Sequence, residues 1–458
     1  MRRAWADRRL LLGAIVLFGL IVRLAGVGDR LSADEGYSWL VGSAESADAF
    51  LDRLAAYENT PPLFYLLLTP LPLDDEAWLR LPSLVASTAA IGVLYAIVRP
   101  LLGTPAALLA ALGLAVAPYH VSFANYSRGF MLAGLGVLLA TWGVARLAEG
   151  GRRRWWWLYA AGTVLALYAE YDAGLALAAL VAVLLWVGRP PRREVLLFGA
   201  LPAVALAPWL GQLARSLDAL DATKVAPVYP GPGPGALRDV AVPLAFGEHG
   251  AIGSNVLRWL QLAAVLAVVG CALWLLWRGT ERHRLAARLL GGVLLGTLAL
   301  HAIVALAGPD LFAQRYLTVL IPLATALVAG GVAALPWRPA VPVAAAALAA
   351  AGVAVFAERS GRELEPDLAP VQAAVLASPP RAVLTNSATV AFYLPGLPVV
   401  VDRPFGLGPG SEGSCPPGCV VVDDTRVAGG ARAGEGVRRR IGPFVVRAAP
   451  AAPPRSGA

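Results

Sequence analysis

Charge is what this chain has least of. Only 15% of its 458 residues are Asp, Glu, Lys or Arg, against roughly a quarter in soluble globular proteins. That is too little to coat a water-facing surface, and it excludes a soluble enzyme of this length. With 58% hydrophobic residues a disordered chain is excluded too. Lysine is almost missing: Lys224 stands alone, so the basic side of the +8 net charge is nearly all arginine. Those arginines punctuate apolar blocks instead of clustering on one face, and no nucleic-acid binder reads that way. Three cysteines make no disulfide framework. Cys271 lies inside an apolar block, and the pair Cys415/Cys419 reads as one small local disulfide. His120, His249, His283 and His301 show no two-histidine helical spacing, so they give no zinc site. No glycine-rich phosphate loop follows a strand, and there is no Walker lysine.

What is abundant is apolar sequence in long blocks, with a mean hydropathy of +0.64. A membrane-crossing helix needs about 20 apolar residues. Blocks of that kind run over 10–28, 79–99, 104–122, 128–148, 155–171, 173–188, 194–211, 254–277, 286–306, 312–335 and 339–357, or about eleven spans. The first resembles a signal peptide, but Arg23 interrupts it and no small-x-small site follows, so it is read as an uncleaved span. Every second connection is arginine-rich, from Arg2, Arg3, Arg8 and Arg9 through Arg99, Arg152–Arg154 and Arg278–Arg288 to Arg338. The alternate connections carry acids and glycines, among them Asp34/Glu35, Asp218/Asp221, Glu248 and Asp310. The positive-inside rule then places the N-terminus in the cytoplasm, and an odd span count places the C-terminus outside. The expectation is a polytopic α-helical membrane domain over residues 1–357 in a cell inner or plasma membrane.

Two regions do not span. Residues 29–78 form a long first extracytoplasmic loop. Within it Ala47, Phe50, Leu51, Leu54 and Ala55 recur at helical spacing, which reads as an interfacial helix. Pro61–Leu73 is apolar but too short to cross, so it reads as re-entrant or interfacial. From 358 to 447 the composition turns ordinary: a helix at Leu368–Ala377 and strands at Ala382–Thr385, Val399–Val401, Val420–Val422 and Phe444–Arg447 predict a small extracytoplasmic α/β domain. Residues 448–458 read as a disordered tail.

Candidate chemistry concentrates just beyond the first span, in Ala33-Asp34-Glu35-Gly36-Tyr37-Ser38-Trp39. A partly desolvated carboxylate there suits a general base. Asn59-Thr60-Pro61-Pro62-Leu63-Phe64-Tyr65 ends the loop, and Arg80-Leu81-Pro82-Ser83 opens the next span. Ser127-Arg128-Gly129-Phe130 and Gln314-Arg315-Tyr316 stand at outer ends of later spans, Pro322 following the latter. Arginines there run against the positive-inside bias, and a fixed anion such as phosphate is one reason for them. Snorkelling to lipid phosphates is the other. Tyr37, Trp39 and Tyr65 are placed to stack on a sugar, with packing as the alternative for each.

In that order, these motifs resemble the polyprenyl-phosphate-sugar-dependent membrane glycosyltransferases of the C-type (GT-C) superfamily, of the protein O-mannosyltransferase (family 39) and aminoarabinose-transferase kind. The resemblance covers roughly residues 10–335. It implies a hexosyl- or pentosyltransferase that takes a sugar from a polyprenyl-phosphate donor to an extracytoplasmic protein, lipid or polysaccharide; a single in-line displacement at the anomeric carbon would invert its configuration. It implies that Asp34 is the catalytic carboxylate, with Glu35 beside it. Donor-phosphate contacts fall on Arg128, Arg315 and Tyr316, and substrate contacts on Tyr37, Asn59, Tyr65 and Asp172. Many members carry an acid directly after the arginine matched by Arg128; here Gly129 and Phe130 follow, and Glu170 or Asp172 is the candidate replacement. No cofactor is certain, a divalent metal ion is left open, and nucleic acid is not a partner. A transporter or flippase of lipid-linked saccharides would place its ionisable groups near mid-membrane. A non-catalytic cell-envelope scaffold would be indifferent to Asp34 and Arg315.

Overall fold

A computed structural model describes residues 2–187, 190–214, 255–307, 314–360, 368–377, 380, 382–385, 387–401, 419–424, 438–441 and 443–448. Lys224, Asp218/Asp221, Glu248/His249, Asp310 and Cys415 lie outside the described residues. The chain folds as two compact units: residues 1–27, 60–64 and 80–361, and residues 28–59, 65–79 and 362–458.

The first unit is helical. Its apolar blocks become α1 (Arg2–Leu24), α5 (Glu76–Val116), α6 (Pro118–Ala124), α7 (Phe130–Ala148), α8 (Trp155–Ala169), α9 (Ala173–Val187), α10 (Arg192–Gly199) and α11 (Leu201–Leu206). They continue with α12 (Asn255–Arg278), α13 (Glu281–Ala286), α14 (Gly292–Ala307), α15 (Leu320–Ala333) and α16 (Ala340–Ser360); α2–α4 belong to the first loop. Among the described residues five helical stretches are long and apolar enough to cross a membrane: 76–116, 130–148, 192–214, 281–306 and 340–360. Within α5 the sequence blocks 79–99 and 104–122 form two helical segments that meet in a corner at Gly103, where φ is +85° and ψ 171°, and the second block passes on into α6 after Val116. A residue with a Cβ is strained there, so glycine sets the corner.

Small residues hold α7 against α8. A Cβ on Gly136 would stand 2.5 Å from the Ala166 nitrogen, and one on Gly162 2.5 Å from the Ala140 nitrogen. Close backbone approach of this kind gives van der Waals contact where lipid offers no hydrophobic drive. Gly136→Val is expected to destabilise the protein by about 2–3 kcal/mol or more. Gly134→Val, with nothing within 4 Å of its Cβ, is the matched control. Thermal unfolding in detergent separates the two; equal midpoints would contradict the contact.

Arg23, the interruption in the first block, is fully buried. Its Nε donates to Ser87 Oγ (3.2 Å), Nη1 to the Gly19 and Ala115 carbonyls (2.8 Å each), and Nη2 to the Leu114 carbonyl (3.1 Å) and His120 Nδ1 (2.9 Å). All five guanidinium hydrogens are used. Because arginine only donates, His120 accepts at Nδ1 and carries its proton on Nε2. The buried cation is thus solvated by protein dipoles.

The second unit joins the first loop to the C-terminal segment. The loop forms α2 (Ala33–Gly42), α3 (Ala47–Tyr57) and α4 (Leu63–Leu68). On α3 only Phe50 and Leu54 of the predicted apolar stripe are buried, while Leu51 is 51% exposed. The C-terminal segment holds α17 (Ala369–Leu376), β1 (Ala382–Thr385), α18 (Ala388–Phe392), β2 (Val399–Val401), β3 (Cys419–Asp424), β4 (Arg438–Ile441) and β5 (Phe444–Ala448). The sheet order is β2-β1-β3-β5-β4, with β2, β1 and β3 parallel and β5 and β4 antiparallel. Its core is Val371, Val375, Val383, Val390, Leu394, Val422 and Phe444. Cys419 is disulfide-bonded, and Cys271 is a free thiol.

Candidate functional site

Asp34 stands in the first turn of α2, and that turn is built with care. Ser32 caps it: the Glu35 amide donates to Ser32 Oγ (3.4 Å), while the Ser32 amide and hydroxyl both donate to Glu35 Oε2 (2.9 and 3.1 Å). This reciprocal capping box ties up the Glu35 carboxylate, which is only 2% exposed. The sequence pairs Asp34 with Glu35 as twin acids; the structure gives Glu35 to the cap and leaves Asp34 half-buried beside it. The helix N-terminus favours negative charge at that position.

The other first-loop candidates pack. Tyr37 is 6% exposed and stacks on Tyr57 at 6.2 Å, within a cluster that includes Ala388, Ala391 and Val401. Tyr65 is 1% exposed, and Asn59 is half-buried in the segment that follows α3. The structure therefore brings Asp34, Glu35, Tyr37, Asn59 and Tyr65 into one unit but turns both tyrosine rings inward.

The second group lies in the helical unit. Ser83, from the Arg-Leu-Pro-Ser motif, donates to the Arg128 carbonyl (3.0 Å) and fixes that turn. Arg80 of the same motif holds backbone: its Nη1 donates to the carbonyls of Gly26 (3.2 Å) and Val27 (3.1 Å) just after α1. Gly129 has no room for a side chain. A Cβ there would lie 2.3 Å from the Ala169 carbonyl oxygen and 3.0 Å from Glu170 Oε1. That crowding explains why no acid follows Arg128, and it sets the Glu170 carboxylate against the same turn.

Arg315 and Tyr316 come from a 3₁₀ turn (Gln314–Leu317) before α15. Thr318 Oγ1 donates to the Arg315 carbonyl (3.1 Å), the guanidinium lies 5.1 Å from the centre of the Tyr316 ring, and that ring meets Phe130 edge-on at 6.1 Å. Phe123, Tyr126 and Phe130 continue the aromatic wall, with centroids 5.3–6.3 Å apart.

Asp172 sits in the turn between α8 and α9, within the field of the Arg315 guanidinium. Among the described residues its buried Oδ1 finds no hydrogen-bond donor. Burial pushes the carboxyl up to about 7, backbone amides and Arg315 pulling the other way without winning. Sequence reasoning offers Asp172 and Glu170 as alternatives; Glu170 lies against the Arg128 turn and Asp172 within the field of Arg315. The wholly unforeseen element is the aromatic wall, whose only sequence trace is the clustering of Tyr119, Phe123, Tyr126 and Phe130.

A carboxyl raised from 3.8 favours the fold fully below the unfolded pKa, and that stabilisation is lost as pH climbs through about 7. Asp172→Asn mimics the protonated form at every pH. Its unfolding midpoint is expected to match the wild type at pH 4 and to exceed it by several degrees at pH 8. A constant gap across that range would contradict the assignment. Among the described residues no group of three or more His, Cys, Asp or Glu could hold a metal ion.

Residues 60–211 match the sequence profile of the dolichyl-phosphate-mannose-protein mannosyltransferase family. No curated protein matches the chain in sequence. Among solved structures the chain is similar to ArnT from Cupriavidus metallidurans in the apo state: 15% identity, TM-score 0.59, 87% of this chain and 86% of that one. It is also similar to the same protein bound to undecaprenyl phosphate, at 16% identity and TM-score 0.59 over 99% of this chain and 100% of that one. The archaeal oligosaccharyltransferase AglB from Archaeoglobus fulgidus, in complex with an inhibitory peptide and a dolichol-phosphate, matches at 13% identity and TM-score 0.56, covering 93% of this chain and 70% of that one. Helix content, apolar blocks and these likenesses agree: this multi-pass membrane protein has the fold of the GT-C glycosyltransferases, the superfamily its motifs resemble.

Proposed function

We propose that the protein transfers a sugar from a polyprenyl-phosphate donor to an acceptor hydroxyl on the extracytoplasmic side of the membrane, inverting the anomeric centre. The observation that carries this reading is Asp34 itself: a half-buried carboxylate on a capped first turn, in a chain with this fold. The relatives support the donor class, since one solved structure holds undecaprenyl phosphate and another a dolichol-phosphate.

In this mechanism the acceptor hydroxyl gives its proton to Asp34 as its oxygen bonds to the anomeric carbon. The bond from that carbon to the phosphate oxygen breaks, and its electron pair stays on the phosphate. Arg315 and Arg128 meet the charge that develops there, with Tyr316 beside them. Arginine suits the task because its planar fork matches two phosphate oxygens and stays charged. Asp172 lies within the field of Arg315, and its raised pKa lets it go neutral when a second anion arrives. The test is turnover by purified protein with undecaprenyl- and dolichyl-phosphate-linked hexoses and pentoses, with the product's anomeric configuration read by NMR. Transfer with retention, or no transfer from any lipid-phosphate sugar, would refute the reading.

A further inference from the structure

The C-terminal segment reaches the first turn of α2 through α18. Thr389 Oγ1 donates to the Ser32 carbonyl (2.9 Å), the oxygen that also takes the Gly36 amide (3.1 Å). One residue earlier, the Leu31 amide donates to the Tyr393 hydroxyl (3.0 Å), which in turn donates to Glu76 Oε1 (2.8 Å). Gly36 is pressed against α18 so closely that a Cβ would stand 2.3 Å from the Thr389 nitrogen. Trp39 meets Phe392 edge-on at 5.7 Å, and the Tyr57 hydroxyl donates to the Val401 carbonyl (3.1 Å). Ser387, Ala388 and Thr389 are 0–3% exposed, so this face is closed to water.

We infer that the C-terminal domain is a positioning element for Asp34, with Thr389 and Tyr393 as its positioning residues. The cap fixes the backbone from inside the turn; Thr389 and Tyr393 fix it from outside. Asp34 lies between the two sets of bonds, so freedom at Leu31 and Ser32 becomes displacement of its carboxylate. A displacement of about 1 Å costs on the order of a hundredfold in rate. The inference rests on the reading of Asp34 as base, but its physical half does not: the clamp either slows opening of this turn or it does not.

The experiment uses the full-length chain and two readouts. In Thr389→Val and Tyr393→Phe, hydrogen exchange of the amides of residues 33–37 should quicken about tenfold, while exchange in α7 stays as in wild type. Turnover of undecaprenyl- or dolichyl-phosphate-linked hexoses and pentoses should lose about tenfold in kcat with an unchanged donor KM, and Thr389→Ser should restore both exchange and turnover. A variant that fails to fold is replaced by the other, since each removes one hydroxyl from a different bond. Wild-type exchange over 33–37 in both variants overturns the inference. So does wild-type kcat in both where Asp34→Asn is inactive. Should Asp34→Asn itself retain full turnover, the base assignment falls, and the exchange result still decides the clamp.

Discussion

Asp34→Asn is expected to lower kcat by about a hundred- to ten-thousandfold, the span over which a positioned base contributes, with donor KM nearly unchanged. The substitution is close to isosteric, and the cap does not depend on it. Ser32 and Glu35 supply the reciprocal bonds, and Thr389 and Tyr393 the outer ones. An amide cannot accept the acceptor's proton, so only the chemical step should suffer. Asp34→Glu keeps the base but moves it by a methylene, and its loss should be intermediate. Glu35→Gln separates the adjacent acids. Gln keeps an oxygen that accepts from the Ser32 amide and hydroxyl, so the capping box stays closed and kcat should stay within a few-fold of wild type. If Glu35→Gln proved as inactive as Asp34→Asn, with the protein still folded, the pair would be acting as a unit. Turnover by Asp34→Asn at the wild-type rate would remove the base from the mechanism.

The helices were legible because each is an apolar block bounded by arginine, proline or glycine, a signal that composition alone carries. Their joins were less so. Gly103 announces a corner only once its φ is known, and the block boundary at 99–104 does not show that helical turns resume directly beyond it. Strand β4 was missed because Arg-Arg-Arg-Ile has no strand pattern; it exists through pairing with β5, where Ile441 faces Phe444. Arg23 could be seen as an anomaly from sequence, but its partners Ser87, Leu114 and His120 lie 64–97 residues away. Asp34 was legible for the same reason as the helices, through local order of motifs. The hold of Thr389 and Tyr393 was not, because it joins residues more than 350 apart by single hydroxyls in a segment of ordinary composition.

Arg315→Gln should weaken binding of undecaprenyl phosphate and lower kcat/KM for the donor by about a hundred- to a thousandfold, as for loss of one donor to a developing anion. The competing account, snorkelling to lipid phosphates, predicts no donor effect. The surroundings favour the first. The guanidinium lies against the Tyr316 ring, in a turn held by Thr318, and within the field of Asp172. A snorkelling side chain needs none of these restraints. Arg315→Lys is the sharper variant, because it keeps the charge but loses the fork; it should recover part of the affinity and less of the rate. The Asp172 carboxyl supplies an independent check. Arg315 is one of the forces holding it down, so in Arg315→Gln it should titrate above the wild-type value of about 7. A shifted Asp172 with unchanged lipid-phosphate affinity would leave Arg315 as a structural counter-ion only. Unchanged titration and unchanged affinity would detach it from both partners.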